Sequence, residues 1–134
     1  MANALYPKTK AKFLKADIDM ESIDVRAILV DLADYTYSAA HDFLDDVPAA
    51  ARVAVSPALT AKAVSADGWF DSDDPILTAV NGDQLEAIIL YHHTGTESTS
   101  ELIAFIDTGV TGLPLTPDGS DVQIVVDAAG WFAL

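Results

Sequence analysis

Apolar residues occupy nearly every position of two stretches, residues 85–91 (LEAIILY) and 102–106 (LIAFI), with a polar loop between them. A strand turns successive side chains to opposite faces, so an apolar residue at almost every position requires cover on both faces. Residues 85–107 therefore predict a hairpin of two interior strands. In the first, Leu85, Ala87, Ile89 and Tyr91 share one face and Ile88 and Leu90 the other. In the second, Leu102, Ala104 and Ile106 alternate with Ile103 and Phe105. The cover must come from the rest of the chain or from another subunit. Residues 94–100 contain only Thr, Gly, Glu and Ser, the composition of a hairpin loop.

Elsewhere the apolar runs are shorter and turn residues punctuate them. Residues 22–32, 51–55, 59–64, 76–80 and 121–127 read as strands from their β-branched content and alternation. Ser56-Pro57, Asp67-Gly68 and Asn81-Gly82-Asp83 read as turns, and residues 109–119 as a looped connection. Along the last clear strand Val122, Ile124 and Val126 share a face, and the closing Gly130-Trp131-Phe132-Ala133-Leu134 predicts a tail packed home as a short strand.

Two short helices are expected. One follows Tyr6-Pro7 over KTKAKFLKA, with proline in its first turn and Ala11, Phe13 and Leu14 as its apolar face. The other covers AAHDFLDD, residues 39–46, with Ser38 as N-cap and Pro48 as its stop. Its acids fall at the end that the helix dipole disfavours, so it should be weak. The sum is a mainly β chain: a small β-sandwich or barrel of about six to eight short strands with two short helices. No linker or repeat divides it, so residues 1–134 read as a single domain.

Charge changes the picture more than composition does. Residues 1–15 hold Lys8, Lys10, Lys12 and Lys15 and no acid, while all 21 acids follow with three basic residues, so +4 and −18 make up the net −14. A basic N-terminal helix or arm (residues 1–16) thus precedes an acidic β-rich body (residues 17–134). Such a body repels nucleic acid and anionic membrane, and neither is expected as a partner. Tyr6, Lys8, Lys10, Lys12 and Lys15 are the candidate protein-contact residues, the plainer alternative being a solvated helix face. The lysines stand where a signal peptide would need an apolar run, and no stretch has transmembrane length, so the product is expected to stay in the cytoplasm where it is made.

Candidate chemistry is sparse. No cysteine is present, which removes disulfides, thiolate metal sites and a cysteine nucleophile. His92 and His93 are adjacent on a strand and point to opposite faces, and His41 and Asp42 face apart on a helix. The acids Asp67, Asp71, Asp73 and Asp74 lack the glycine and glutamate of a calcium loop, leaving a solvated acidic loop or a looser calcium site. No nucleophile elbow or phosphate loop occurs. The chain reads as a non-enzyme with no catalytic, cofactor-binding or metal residues.

Several segments together resemble a family of small virion proteins of tailed bacteriophages. They include Ala4-Leu5-Tyr6-Pro7 with the lysine-rich helix, Val30-Asp31 with Tyr35-Thr36-Tyr37, and His41-Asp42-Phe43-Leu44-Asp45-Asp46-Val47-Pro48. Ala51-Arg52-Val53-Ala54, Phe70-Asp71, Asp73-Asp74 and Thr94-Gly95-Thr96-Glu97-Ser98-Thr99 continue the likeness. It closes with Leu102-Ile103-Ala104-Phe105-Ile106-Asp107, Gly112-Leu113-Pro114-Leu115-Thr116-Pro117 with Asp118-Gly119, and the last strand, although Ala128-Ala129-Gly130-Trp131 is more apolar than the pattern. The resemblance implies a structural protein of the virion, above all a capsid decoration (cement) or head-fibre protein on the outside of the head shell. Its partner would be the major capsid protein, and it would be made in the host bacterial cytoplasm. A tail or fibre component is the alternative. A sugar-binding β-sandwich module is another, requiring Trp69, Trp131 or the pair Tyr35 and Tyr37 as an exposed platform. Interior strands in need of cover predict a homo-oligomer, with a trimer favoured.

Overall fold

The computed structural model describes residues 3–134. Ten strands form three antiparallel sheets. The largest has five strands in the order β1 (Ala4–Leu5), β8 (Leu102–Ile106), β7 (Ala87–His92), β2 (Val25–Val30) and β3 (Arg52–Val55). A three-stranded sheet runs β10 (Phe132–Ala133), β5 (Trp69–Asp71) and β4 (Ala63–Val64), and β6 (Ile76–Leu77) pairs with β9 (Val122–Gln123). One α-helix, α1 (Pro7–Leu14), and three 3-10 turns complete the elements. The fold is the small β-sandwich expected, with more strands than the pattern suggested because five of the ten are two residues long.

The hairpin of β7 and β8 is central, as its double-sided apolar pattern requires. On one side, Ile88, Leu90, Ala104 and Ile106 pack with Ala27 and Leu29 of β2 against Phe70 and Leu77 of the smaller sheets and against Ile124 and Trp131, which flank β9 and β10. On the other side, Ala87, Ile89, Tyr91, Leu102 and Phe105 pack with Ile28 and Val30 against Tyr6, Tyr35, Leu44, Val47 and Ala51. The second layer is thus irregular chain rather than a sheet. Both faces are covered from within the chain, which removes the ground on which a trimer was expected.

Strict alternation fails at one place in β8. Leu90 lies opposite Ala104 but Tyr91 lies opposite Leu102, so Ile103 is an extra residue in a β-bulge. The bulge puts Ile103 on the same side as Ala104, and leaves Leu102 and Phe105 together on the other.

The second predicted helix does not form. Residues 39–46 hold an isolated bridge between Phe43 and Glu101 and a 3-10 turn, Leu44–Asp46. The Asp46 carboxylate accepts the N–H groups of Asp42 (2.7 Å) and Phe43 (3.3 Å), which offers the backbone an alternative to a helical turn. The Ser38 hydroxyl accepts the N–H of Ala40 and its carbonyl that of His41, as in a turn. Residues 59–64 and 76–80 shorten to β4 and β6, because Ala61 and Ala79 take left-handed backbone angles that end extended chain. At the C-terminus the predicted packed strand is present: Trp131 donates its N–H to Phe70 at 2.7 Å and is buried.

Candidate docking surface

The basic leader folds where its sequence placed it, and its orientation decides what its lysines can do. Tyr6 donates its N–H to the Ile103 carbonyl at 3.0 Å, closing β1, and Pro7 opens α1 immediately afterwards. Thr9 is buried, its hydroxyl donating to the Leu102 carbonyl, and Phe13 packs beside Phe132 with ring centroids 6.5 Å apart. The helix is therefore rotated relative to the apolar face read from sequence. Ala11 is exposed, and Leu14 is 90% exposed, the most exposed large apolar side chain among the described residues.

The five contact candidates separate into two groups. Tyr6 is fully buried and offers no surface to a partner. Lys12 turns inward: its Nζ lies 3.2 Å from Glu101 and 4.9 Å from the centre of the Phe43 ring. Lys8 lies 3.8 Å from Asp42. Lys10 and Lys15 are exposed and have no ion pair among the described residues. The outward face of α1 is thus Lys10, Ala11, Leu14 and Lys15, a bare leucine between two free cations.

Beneath that face lies a polar network that the sequence did not announce. Glu101 takes Lys12 on one oxygen and the Nδ1 of His92 on the other, at 2.7 Å. Burial works against its charge, but these bonds and its own N–H hold its carboxyl below the usual glutamate range. Arg52 donates to the carbonyls of Leu44 and Val47 and to Glu97 at 2.7 Å, tying the loop of residues 94–100 to the irregular layer. The Tyr35 hydroxyl sits 2.8 Å from that of Tyr6 and 2.8 Å from His41 Nδ1. Burial pushes Tyr35 up to about 12, and burial followed by the charge of Tyr35 pushes Tyr6 higher still. Chain separation hid these partners: Lys12 and Glu101 are 89 residues apart, and only strand register brings them together.

Other constellations resolve into local structure. His93 Nδ1 lies 3.2 Å from the Tyr91 hydroxyl, so the three histidines contact tyrosine or glutamate and not one another. Asp71 accepts the N–H of Ser72, Asp74 that of Val126, and Asp73 the hydroxyl of Thr60, so this acidic loop braces its own backbone and its neighbours. One oxygen each of Asp31, Asp34 and Asp83 falls within 4.8 Å of the others, with Asp31 buried and capping Ala33.

The aromatic residues that a sugar platform would use are largely enclosed. Trp131 is 4% exposed and donates its ring N–H to Ser72, and Tyr35 is equally buried. Tyr37 is half-buried against Phe105 and Tyr6. Between β1 and β8 on one side and β10 on the other runs an open groove of about 340 Å³, lined mainly by apolar groups. No helix among the described residues is long and apolar enough to cross a membrane.

What fold and surface define together is a class: a small antiparallel β-sandwich with a basic helix mounted on an acidic body. Compared with models of known protein families and with curated proteins, the chain matches none.

Proposed function

We propose that this chain is a non-enzymatic structural protein of a bacteriophage virion, a decoration protein that docks on the outside of the head shell, with the major capsid protein as its partner. The observation that carries the reading is the outer face of α1. Lys10 and Lys15 have no ion pair among the described residues and Leu14 is bare on a molecule whose net charge is −14. A body so acidic needs a local basic contact to approach an acidic shell, and an exposed leucine adds apolar area once water is excluded. The resemblance of the leader, the HDFLDDVP segment and the TGTEST loop to tailed-phage virion proteins supports the same reading. Lys8–Asp42 joins the first of these segments to the second, and Arg52 joins the second to the third by donating to the Leu44 and Val47 carbonyls and to Glu97.

The ring Nδ1 of each histidine meets tyrosine or glutamate, contacts that tie segments of the fold together. Particle binding tests the proposal. Purified heads lacking the protein are incubated with the parent and with Lys10→Gln/Leu14→Ser/Lys15→Gln, at low and high salt. The parent should coat heads, more weakly as salt rises, and the variant should coat them poorly while melting at the same temperature. Equal binding by both at every salt concentration would overturn the docking face, and density on tails alone would replace the head by the tail.

A further inference from the structure

The groove between β1 and β10 has walls of an unusual kind: both are sheet edges. β1 is the terminal strand of the five-stranded sheet and β10 that of the three-stranded sheet. Exposed edges are normally blunted by charge, proline or covering chain, because their unpaired N–H and C=O groups recruit further strands. Here the edge strands read Ala4–Leu5 and Phe132–Ala133, and among the described residues Asp127 is the one ionisable side chain lining the groove. In a chain with 21 acids, an edge so free of charge is a surface arranged to be covered.

Register shows which backbone groups are offered. Ala4 lies opposite Phe105 and Leu5 opposite Ala104, and the N–H of Tyr6 bonds to Ile103. Antiparallel strands direct alternate residues toward the partner. Ala4 and Tyr6 therefore face β8, while Asn3 and Leu5 turn their N–H and C=O outward. The Leu5 carbonyl, which accepts the Tyr37 hydroxyl at 3.2 Å, confirms the outward direction and keeps a second lone pair.

We propose that this edge is covered by the same edge of a second copy, β1 pairing antiparallel with β1 about a two-fold axis through Ala4. Asn3 of each copy then lies opposite Leu5 of the other, and both outward residues find backbone partners. An isologous contact of this kind is self-complementary. Charge favours a copy of the chain as occupant. The contact patch is nearly uncharged, so the repulsion of two acidic bodies is least there. Each copy also brings its lysine-bearing α1, separated from β1 by Tyr6 alone, close to an acidic neighbour. The paired apolar groove walls add burial. The assembly is two-fold, in contrast to the three-fold ring expected from composition, and the inference does not depend on the virion reading.

Sedimentation velocity over a wide concentration range, with amide hydrogen exchange, tests it. The parent should show a concentration-dependent dimer, with Leu5 N–H protection rising in step. Ala4→Glu would set two carboxylates side by side at the axis, where directly opposed like charges destabilise pairing, and should weaken association at least about tenfold. Its melting temperature should match the parent. If Ala4→Glu does not fold, Leu5→Pro, which removes the outward N–H and leaves the ladder to β8 in place, serves the same purpose. A monomer at every concentration overturns the proposal, as does a dimer indifferent to these substitutions or one that leaves Leu5 unprotected. Protection of Leu5 only on adding another protein would assign the edge to a foreign strand and likewise refute the second copy.

Discussion

The hydroxyls of Tyr6 and Tyr35 lie 2.8 Å apart in the second core layer, although 29 residues separate them in the chain. Tyr6 has no exposed surface and, among the described residues, no other hydrogen-bond partner for its hydroxyl, whereas the Tyr35 hydroxyl also meets His41. The pair joins the leader to the irregular layer over the five-stranded sheet.

That asymmetry predicts unequal costs. Tyr35→Phe leaves the buried Tyr6 hydroxyl without a partner and should destabilise by about 1–3 kcal/mol. Tyr6→Phe leaves Tyr35 bonded to His41 and should cost about 1 kcal/mol or less. Chemical denaturation of both single variants and the double variant measures the difference. Equal costs would show that the hydroxyl pair is not the connection described.

The pH dependence has two limbs. Burial, then mutual proximity, raises the Tyr6 hydroxyl above its ordinary value, and burial raises Tyr35 to about 12, so the folded state holds protons that the unfolded chain releases. Their stabilising effect is complete below the ordinary tyrosine range and is lost as pH rises above about 10. At the acid end, the N–H groups of Asp42 and Phe43 hold the Asp46 carboxyl low against the opposing effect of burial, and Glu101 is also held low. Their stabilisation is present above the ordinary carboxylate range and is lost as pH falls through and below it. Melting temperature against pH should therefore decline at both ends, and Tyr35→Phe should flatten the alkaline limb.

Two backbone positions should respond in opposite directions. A Cβ at Gly130, where φ is +130°, would stand 2.5 Å from the Phe70 carbonyl oxygen, so Gly130→Ala should lose more than about 1 kcal/mol and loosen β10. Ala16 ends α1 with φ of +59°, a left-handed position that glycine fills without steric cost. Ala16→Gly should stabilise by about 0.5–1 kcal/mol. Thermal melts of both variants check the signs.

The lysines of α1 should separate by role. Lys12→Gln breaks the contact with Glu101 and the Phe43 ring and should lower the melting temperature slightly, the pair contributing about 1 kcal/mol or less. Lys10→Gln/Lys15→Gln should leave the melt unchanged and reduce particle binding. The reverse pattern in paired melts and binding assays would contradict the orientation of the helix.

Removal of divalent cations should not matter to folding. The carboxylates of Asp71, Asp73 and Asp74 are engaged by the chain itself, and Asp31 caps a turn. Adding EDTA should leave the unfolding midpoint in place, and a clear drop would direct attention to Asp31, Asp34 and Asp83.

The sequence by itself determined the elements whose side-chain period leaves no choice. Residues 85–107 form the central hairpin because an apolar residue at each position can be satisfied only by cover on both faces. Proline after Tyr6 started α1, and the apolar C-terminus packed home. Tertiary structure decided what depends on long-range partners. The bulge at Ile103 shifted the faces of β8, and the carboxylate of Asp46 with the bridge from Phe43 to Glu101 replaced a helix by a turn. Of the docking candidates, the lysines were legible as a charge segregation, but their division was not. Lys12 found Glu101 and Tyr6 found Tyr35 across 89 and 29 residues, and no local pattern encodes which side of a helix a distant strand will claim. A short helix with little apolar face takes its orientation from the contacts made by the folded body, so the surface that remains for a partner is fixed only once the sheet beneath it exists.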